Sequence, residues 1–271
     1  MKTALTIAGS DPTGGAGLQA DLKTFSANGV YGMSVIASVV AENTCRVWTA
    51  HSIPPDMIAL QIEAVMTDIF PNAVKIGMLD TPAAMEAVAE GLRRYAPPHV
   101  VLDPVMVAKN GSPLMQPGAM AYLIRTLFPL AEVVTPNIPE AEAITGLSIH
   151  STDDMERAAR QILDLGCKAV VVKGGHAQGQ AVDVLYDGQT IHRYSAERIP
   201  TRNTHGTGCT FSSAIASRLA LGDDIADAVD HAKAYVTGAI AHALPLGHGC
   251  GPTNHFFAWQ DAGEAVQRHD P

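Results

Sequence analysis

Residues Asn203 to Phe211 read NTHGTGCTF, and they place a thiol directly after two chain-loosening glycines, Gly206 and Gly208. The run that follows, Ser212-Ser213-Ala214-Ile215-Ala216, has the small residues of a closely packed helix, so Cys209 falls in its first turn. The N–H groups at a helix start have no partner within the helix and carry the positive end of its dipole. The stretch is therefore suited to bind phosphoryl or carboxylate oxygens. The same field is expected to lower the Cys209 pKa from its usual value of about 8.5. Three readings of Cys209 follow: an inert buried residue, a covalent nucleophile served by a base such as His205, or a general base facing a substrate hydroxyl beside a phosphate cradle. The residue pattern leaves the last two unseparated.

Other polar residues stand directly after apolar runs, where ligands of α/β proteins bind. AGSDPTGGAGLQAD (Ala8 to Asp21) follows the first such run, but GxGxxG is absent as such and no GxxxxGK[ST] occurs, which excludes a Walker-type site. Its glycines serve either a tight turn or a ligand contact. Asp21, one helical turn beyond Gly17, is expected either in water or accepting from a substrate hydroxyl. Asp103 in VVLDPVM sits where Pro104 ends a strand, and a carboxylate there needs a metal, a lysine or water. Asn137 and Glu140 in TPNIPEAE are spaced to approach one ion or water, although Glu140 at a helix start also answers the macrodipole, which is the favoured reading. Ser10-Asp11, Glu42-Asn43, Met78 and Lys173-Gly174-Gly175-His176 complete the set.

These residues must be carried by alternating strands and helices. TALTIAG, SVIASVV, AVKIGML, HVVLDPVM, AEVVTPN and KAVVVKGG read as strands. The segments from Leu18, Asp56, Thr81, Ala119, Glu140, Ser151, Cys209 and Asp223 or Asp224 read as helices, with Thr81 as N-cap, Pro82 at N1 and Asp153/Glu156 spaced as a capping box. AVDVLYDGQTIHRYSAE, with Asp187-Gly188, reads as an antiparallel hairpin at the sheet edge. The pattern predicts a mostly parallel sheet with helices on both faces and one domain over residues 1–271.

Composition narrows the function. Of 271 residues 47% are hydrophobic, and 18 Lys and Arg against 27 Asp and Glu give a charge of -9, which argues against a nucleic-acid surface. Cys45, Cys167, Cys209 and Cys250 lie far apart, which suggests neither a zinc site nor a disulfide framework. With no signal-type segment or membrane-length apolar run, the expectation is a soluble cytoplasmic protein.

Seven ordered motifs, GSDPTGGAGLQADLKTF, KIGML, LDPVM, TPNIPEA, KGGH, NTHGTGCTFSSAIA and GCGPTNHF, resemble the hydroxymethylpyrimidine and phosphomethylpyrimidine kinases of thiamine biosynthesis, in the ribokinase superfamily. The resemblance runs from about residue 3 to Phe257. It implies a ribokinase-like three-layer fold, ATP and Mg2+, a homodimer, and two successive phosphoryl transfers to an aminopyrimidine alcohol. It further implies that Gly9, Asp21, Met78 and Val105 line the pyrimidine site, that Asp103 and Glu140 lie near magnesium, and that Lys173 neutralises the transferring phosphate. By the same resemblance, Gly206 and Gly208 are expected to form the anion hole and Cys209 to sit at the reaction centre. Where the family usually reads AQNT, this chain reads AENT, putting Glu42 where a glutamine would pair with the ring's amino edge. Glutamine both donates and accepts, whereas an ionised glutamate only accepts. Glu42 therefore implies a protonated pairing, a lowered pH optimum, a different ring or a tolerated change. The alternative ring is pyridoxine or pyridoxal, since vitamin B6 kinases share the fold.

Overall fold

The computed structural model describes residues 1–106, 115–116, 118–175 and 180–259. Nine strands among these join in one sheet: β1 (Thr3–Ser10), β2 (Tyr31–Glu42), β3 (Val47–Ser52), β4 (Ala73–Ile76), β5 (Val100–Leu102), β6 (Val133–Val134), β7 (Ala169–Val172), β8 (Ala181–Tyr186) and β9 (Ile191–Ala196). Their spatial order is β3-β2-β1-β4-β5-β6-β7-β8-β9. The strands from β2 to β7 in that order are mutually parallel, whereas β3, β8 and β9 add antiparallel edges.

The parallel strands are short and apolar because both faces are covered. Leu5 and Ile7 of β1, Val100 and Leu102 of β5, and Val170 and Val172 of β7 enter one core. Their neighbours Ala4, Val101 and Val171 enter the other. The first core is covered by α2 (Pro55–Met66), α3 (Pro82–Tyr95), α4 (Ala119–Leu127) and α6 (Thr152–Leu163), and the second by α1 (Gly17–Ala27), α7 (Thr207–Leu221) and α8 (Ile225–Ala241). The expected sheet with helices on both faces is what forms. The short helix α5 (Ile138–Thr145) ends at Gly146, whose φ of 74° closes it in the left-handed region.

Two local expectations are corrected. SVIASVV is the middle of a longer strand, and its partner β3 was not anticipated: VWTAHS is mostly exposed and so lacks a buried-strand pattern. The capping box of α6 is Ser151 with Asp154, not Asp153 with Glu156, because Ser151 ends the loop and its side chain accepts from the Asp154 N–H. Glu156 instead meets Arg193 of β9. The Thr81 cap is as expected, accepting from the Ala84 N–H.

On leaving β1 the chain places β2 on one side, and β4 follows on the other, so the sheet order reverses at β1. The loops beyond the carboxyl ends of β1, β4, β5 and β7 meet at this switch point, together with the starts of α1 and α7.

Candidate active site

The glycine loop after β1 is built around its own anion. Asp11, 1% exposed, accepts from the N–H groups of Thr13 (2.7 Å), Gly15 (3.1 Å) and Ala16 (2.7 Å), and from the Thr13 hydroxyl (2.9 Å). His205 Nε2 lies 2.8 Å from the same carboxylate. Burial opposes ionisation of Asp11, but His205 and Thr13 outweigh it and hold the carboxyl down at about 2. The N–H groups of Gly14 and Gly15 are thus occupied by Asp11, its carbonyl taking the first and its carboxylate the second, as in a tight turn. Asp11 and His205 also tie this loop to NTHGTGCTF, and the two backbones touch: a methyl group on Gly206 would lie 1.7 Å from the Gly15 carbonyl oxygen.

The start of α7 is different. Its N-cap is Gly206, in the left-handed region at φ 77°, and no side chain caps the helix. Only a residue without Cβ takes this conformation next to another backbone at low cost. The first N–H groups of α7 therefore have no capping side chain, and that of Thr207 reaches the Thr204 carbonyl at 3.4 Å. Lys173 stands beside them, since a methyl group on Gly208 would lie 3.4 Å from Lys173 Nζ and 3.5 Å from Asp103 Oδ2. Burial disfavours the Lys173 charge, but Asp103 and Glu140 more than offset this and hold its pKa up.

Asp103 is 1% exposed, and its partners are Lys173 at 2.8 Å, Thr135 at 3.2 Å and Ser212 at 3.4 Å. Lysine, one of the partners weighed for it, is present at 2.8 Å. Glu140 forms a capping box with Asn137: its Oε2 accepts from the Asn137 N–H at 2.8 Å, and Asn137 Oδ1 accepts from the Glu140 N–H at 2.9 Å. The helix-start reading of Glu140 is therefore the observed one. Burial, reinforced by Asp103 and opposed by Lys173, pushes Glu140 up to about 7. Among the described residues no group of three or more His, Cys, Asp or Glu is disposed to hold a metal ion. The pair Asp103 and Glu140 suits a cation that keeps its waters and its phosphate ligands, as magnesium does, rather than a protein cage.

Cys209 is half-buried in the first turn of α7. The expected lowering of its pKa is overturned. Burial pushes the thiol up to about 11, against the pull of Lys75, with Asp21 and Asp103 pushing further upward. Desolvation of a thiolate here outweighs the helix field.

Asp21 requires a second correction, since it lies neither in water nor against an open space. It is 0% exposed, with Lys75 Nζ 2.9 Å from both oxygens, the Thr6 hydroxyl at 2.6 Å and the Ser213 hydroxyl at 2.7 Å. A buried carboxylate without donors is costly, and four donor contacts meet that need. Gly9 and Met78 are brought together: a methyl group on Gly9 would meet Ser38 Oγ at 2.7 Å and Met78 Sδ at 3.5 Å. Val105, half-buried just past Asp103, donates its N–H to the Asp103 carbonyl. Glu42 ends β2, where burial and the Asp11 carboxylate push it up to about 7. His255 is buried against the Thr210 hydroxyl at 3.1 Å, and burial holds it down at about 4. His176 lies outside the described residues.

Sequence reasoning singled out Asp11 but missed Lys75 and a second buried pair, Lys233 with Asp183 at 2.8 Å, whose carboxylate also accepts from the Gly174 N–H at 2.8 Å. Each had a signal: Lys75 is the charge inside the wholly buried strand Ala73–Ile76, and Asp183 is the charge inside AVDVLY.

Comparisons with known proteins agree with this geometry. The family model for phosphomethylpyrimidine kinase matches residues 11–254. A hydroxymethylpyrimidine/phosphomethylpyrimidine kinase of Rhizobium meliloti is 50% identical over 94% of this chain and 97% of its own length, and one of Escherichia coli is 48% identical over 94% and 98%. A thiamine biosynthesis bifunctional protein of Geobacter sulfurreducens is 50% identical, and the chain spans 53% of it. Among solved structures, a Bacillus subtilis pyridoxal kinase with ADP has a TM-score of 0.90 at 41% identity, covering 96% of this chain and 99% of that one. A Clostridium difficile phosphomethylpyrimidine kinase has a TM-score of 0.80 at 50% identity, covering 89% and 100%. The ribokinase-like fold, the uncapped helix start beside Lys173 and these full-length likenesses lead to one assignment: the chain belongs to the phosphomethylpyrimidine kinase family.

Proposed function

We propose that this chain transfers phosphoryl groups from ATP to 4-amino-5-hydroxymethyl-2-methylpyrimidine and then to its monophosphate, in thiamine biosynthesis. The observation that carries this reading is the uncapped start of α7, with Lys173 Nζ beside Gly208 and Cys209 two residues into the helix from Thr207. Phosphoryl transfer asks chiefly for positioning and charge neutralisation. The N–H groups from Gly206 to Cys209 and the Lys173 ammonium face the transferring group, and each preorganised donor lowers the barrier by about 3 kcal/mol. Gly9, Met78, Val105 and Glu42 surround the ring, and Asp21 acts from beneath, through its neighbours. The Cys209 thiolate, formed by loss of the thiol proton to solvent, receives the hydroxyl proton as the oxygen bonds to phosphorus and the bond from phosphorus to ADP breaks.

Magnesium, when bound with ATP, neutralises the phosphate charge, and Asp103 and Glu140 are the residues that would hold it. We take residues 1–271 as one domain that works as a homodimer in the cytoplasm; no helix among the described residues is long and apolar enough to cross a membrane.

A vitamin B6 kinase is the second reading, favoured by Glu42 and by the likeness to the Bacillus subtilis pyridoxal kinase. The test is phosphate transfer from ATP to hydroxymethylpyrimidine, its monophosphate and pyridoxal, side by side, with product masses followed in time. A monophosphate that rises and then converts to diphosphate is the expected result. Turnover of pyridoxal alone would assign the other vitamin.

A further inference from the structure

A helix start is ordinarily fixed by a side chain at its N-cap, which takes up the first N–H groups. In α7 the N-cap is Gly206, and a phosphate cradle requires those groups to stay open. What fixes this helix stands one residue outside it. The His205 ring packs on the glycine loop after β1, since a methyl group on Gly15 would lie 2.5 Å from His205 Cδ2 and 3.1 Å from Pro252 Cβ. His205 Nε2 lies 2.8 Å from Asp11 Oδ2, and the His205 N–H donates to the Gly251 carbonyl at 3.0 Å. Three segments thus meet at the residue before Gly206.

Asp11 does not need the histidine for its own sake. It already accepts from the N–H groups of Thr13, Gly15 and Ala16 and from the Thr13 hydroxyl, all within its own loop. Those donors satisfy a buried carboxylate. The further donor comes from 194 residues away, and what it adds is position, because it keeps the Gly206 α-carbon against the Gly15 carbonyl. Asp11 is ionised at neutral pH and only accepts, so Nε2 carries the proton of this bond.

We propose that His205 is a positioning residue for the anion hole: its Nε2–H bond to Asp11 anchors the residue before α7, so that the first turn of the helix is aimed at the transferring phosphoryl group without a cap covering it. The proposal rests on the reading of the start of α7 as the anion hole. His205 acts here through Gly206 and touches neither substrate. The role asks for reach and a donor, not for an imidazole. A glutamine amide places an N–H about where the ring Nε2 stands, whereas asparagine has the same amide one carbon short of Asp11. The acceptor side of the loop, held by the four local donor contacts to Asp11, is left in place when the histidine bond is cut.

The test compares His205→Asn and His205→Gln with the wild type in steady-state kinetics and in calorimetric affinity for ADP, alone and with aluminium fluoride, magnesium and the acceptor that the wild type phosphorylates. The fluoride complex imitates the transferring phosphoryl group. His205→Asn is expected to lower kcat about ten- to hundredfold, as a misplaced group does, with KM for the acceptor changed by less than about threefold. It is expected to bind ADP alone as the wild type does and to lose about tenfold or more of the affinity gained with aluminium fluoride. His205→Gln is expected to recover most of both. A merely structural contact would lower Tm in His205→Asn and leave the kcat of the folded protein and the fluoride gain unchanged. That result overturns the proposal, as does a glutamine variant no better than the asparagine one. Should His205→Asn fail to fold, as judged by circular dichroism, His205→Gln decides: a wild-type fluoride gain supports the proposal and a lost one overturns it. No fluoride gain in the wild type would overturn the anion-hole reading and the proposal with it, whereas a wild-type gain kept in His205→Asn overturns the proposal alone.

Discussion

Cys209 and Glu42 are the two residues whose protonation decides what the site can do, and burial acts on both. With its thiol pushed up to about 11, Cys209 is protonated at neutral pH, and the thiolate fraction rises about tenfold per pH unit below that value. If it acts as base, kcat for the alcohol climbs with pH through the neutral and alkaline range. Cys209→Ala lowers alcohol phosphorylation about 10²–10⁴-fold and removes that climb. Phosphorylation of the monophosphate falls less, because its acceptor is already an anion. Equal losses in the two steps would refute the base role. Glu42 is raised to about 7, so below that pH its carboxyl both donates and accepts, as an amide does, and above it the group only accepts. The KM for the aminopyrimidine is therefore expected to rise up to about tenfold per pH unit above 7, and Glu42→Gln to flatten that rise. Initial rates from pH 6 to 9 check both statements, and an unchanged pH profile in Glu42→Gln would assign the dependence elsewhere.

At the scale of elements, two loops have to meet without side chains between them. Gly206 is at φ 77° and its α-carbon faces the Gly15 carbonyl, so Gly206→Ala combines a left-handed backbone with a collision at 1.7 Å. The strained conformation alone costs about 1–2 kcal/mol, and relief of the collision pulls the anion hole away from Lys173. The expected outcome is a lowered Tm together with a larger fall in kcat than in substrate affinity. A variant with wild-type kcat and only a lowered Tm would show that the loop tolerates displacement. The sequence made this loop legible as a glycine turn before a helix. It did not show that Asp11 fills the other glycine loop, because that carboxylate meets His205 across 194 residues of sequence.

For the whole molecule, the proposed site lies beyond the carboxyl ends of the strands of a single sheet, at the starts of α1 and α7, so a ligand bound there would brace these helices against the sheet. Ligand at a hundredfold excess over its Kd stabilises the folded chain by about 2.7 kcal/mol. Calorimetry should therefore show Tm rising by several degrees with ATP and magnesium, and rising again when hydroxymethylpyrimidine is added. Pyridoxal, if it is not a substrate, should leave Tm unmoved.

The alternation of Val- and Ile-rich runs with amphipathic helices determined the layered sheet from the sequence alone, because both faces of a parallel strand must be apolar. The ordered motifs likewise determined the family, and they named residues that the fold brings together, Gly9 with Met78 and Lys173 with Asp103 and Gly208. The exposed edge strand β3 left no such pattern, since a strand with one partner and an open face need not be apolar. Only the tertiary structure decided the charge state of the site. The thiol was expected low from its place on the helix and is high because of what surrounds it, and Asp21 was expected in water or against a substrate hydroxyl and is buried against a lysine 54 residues away. Helix fields act within one turn and can be read from local sequence, whereas desolvation and ion pairing depend on which distant segments close over a group.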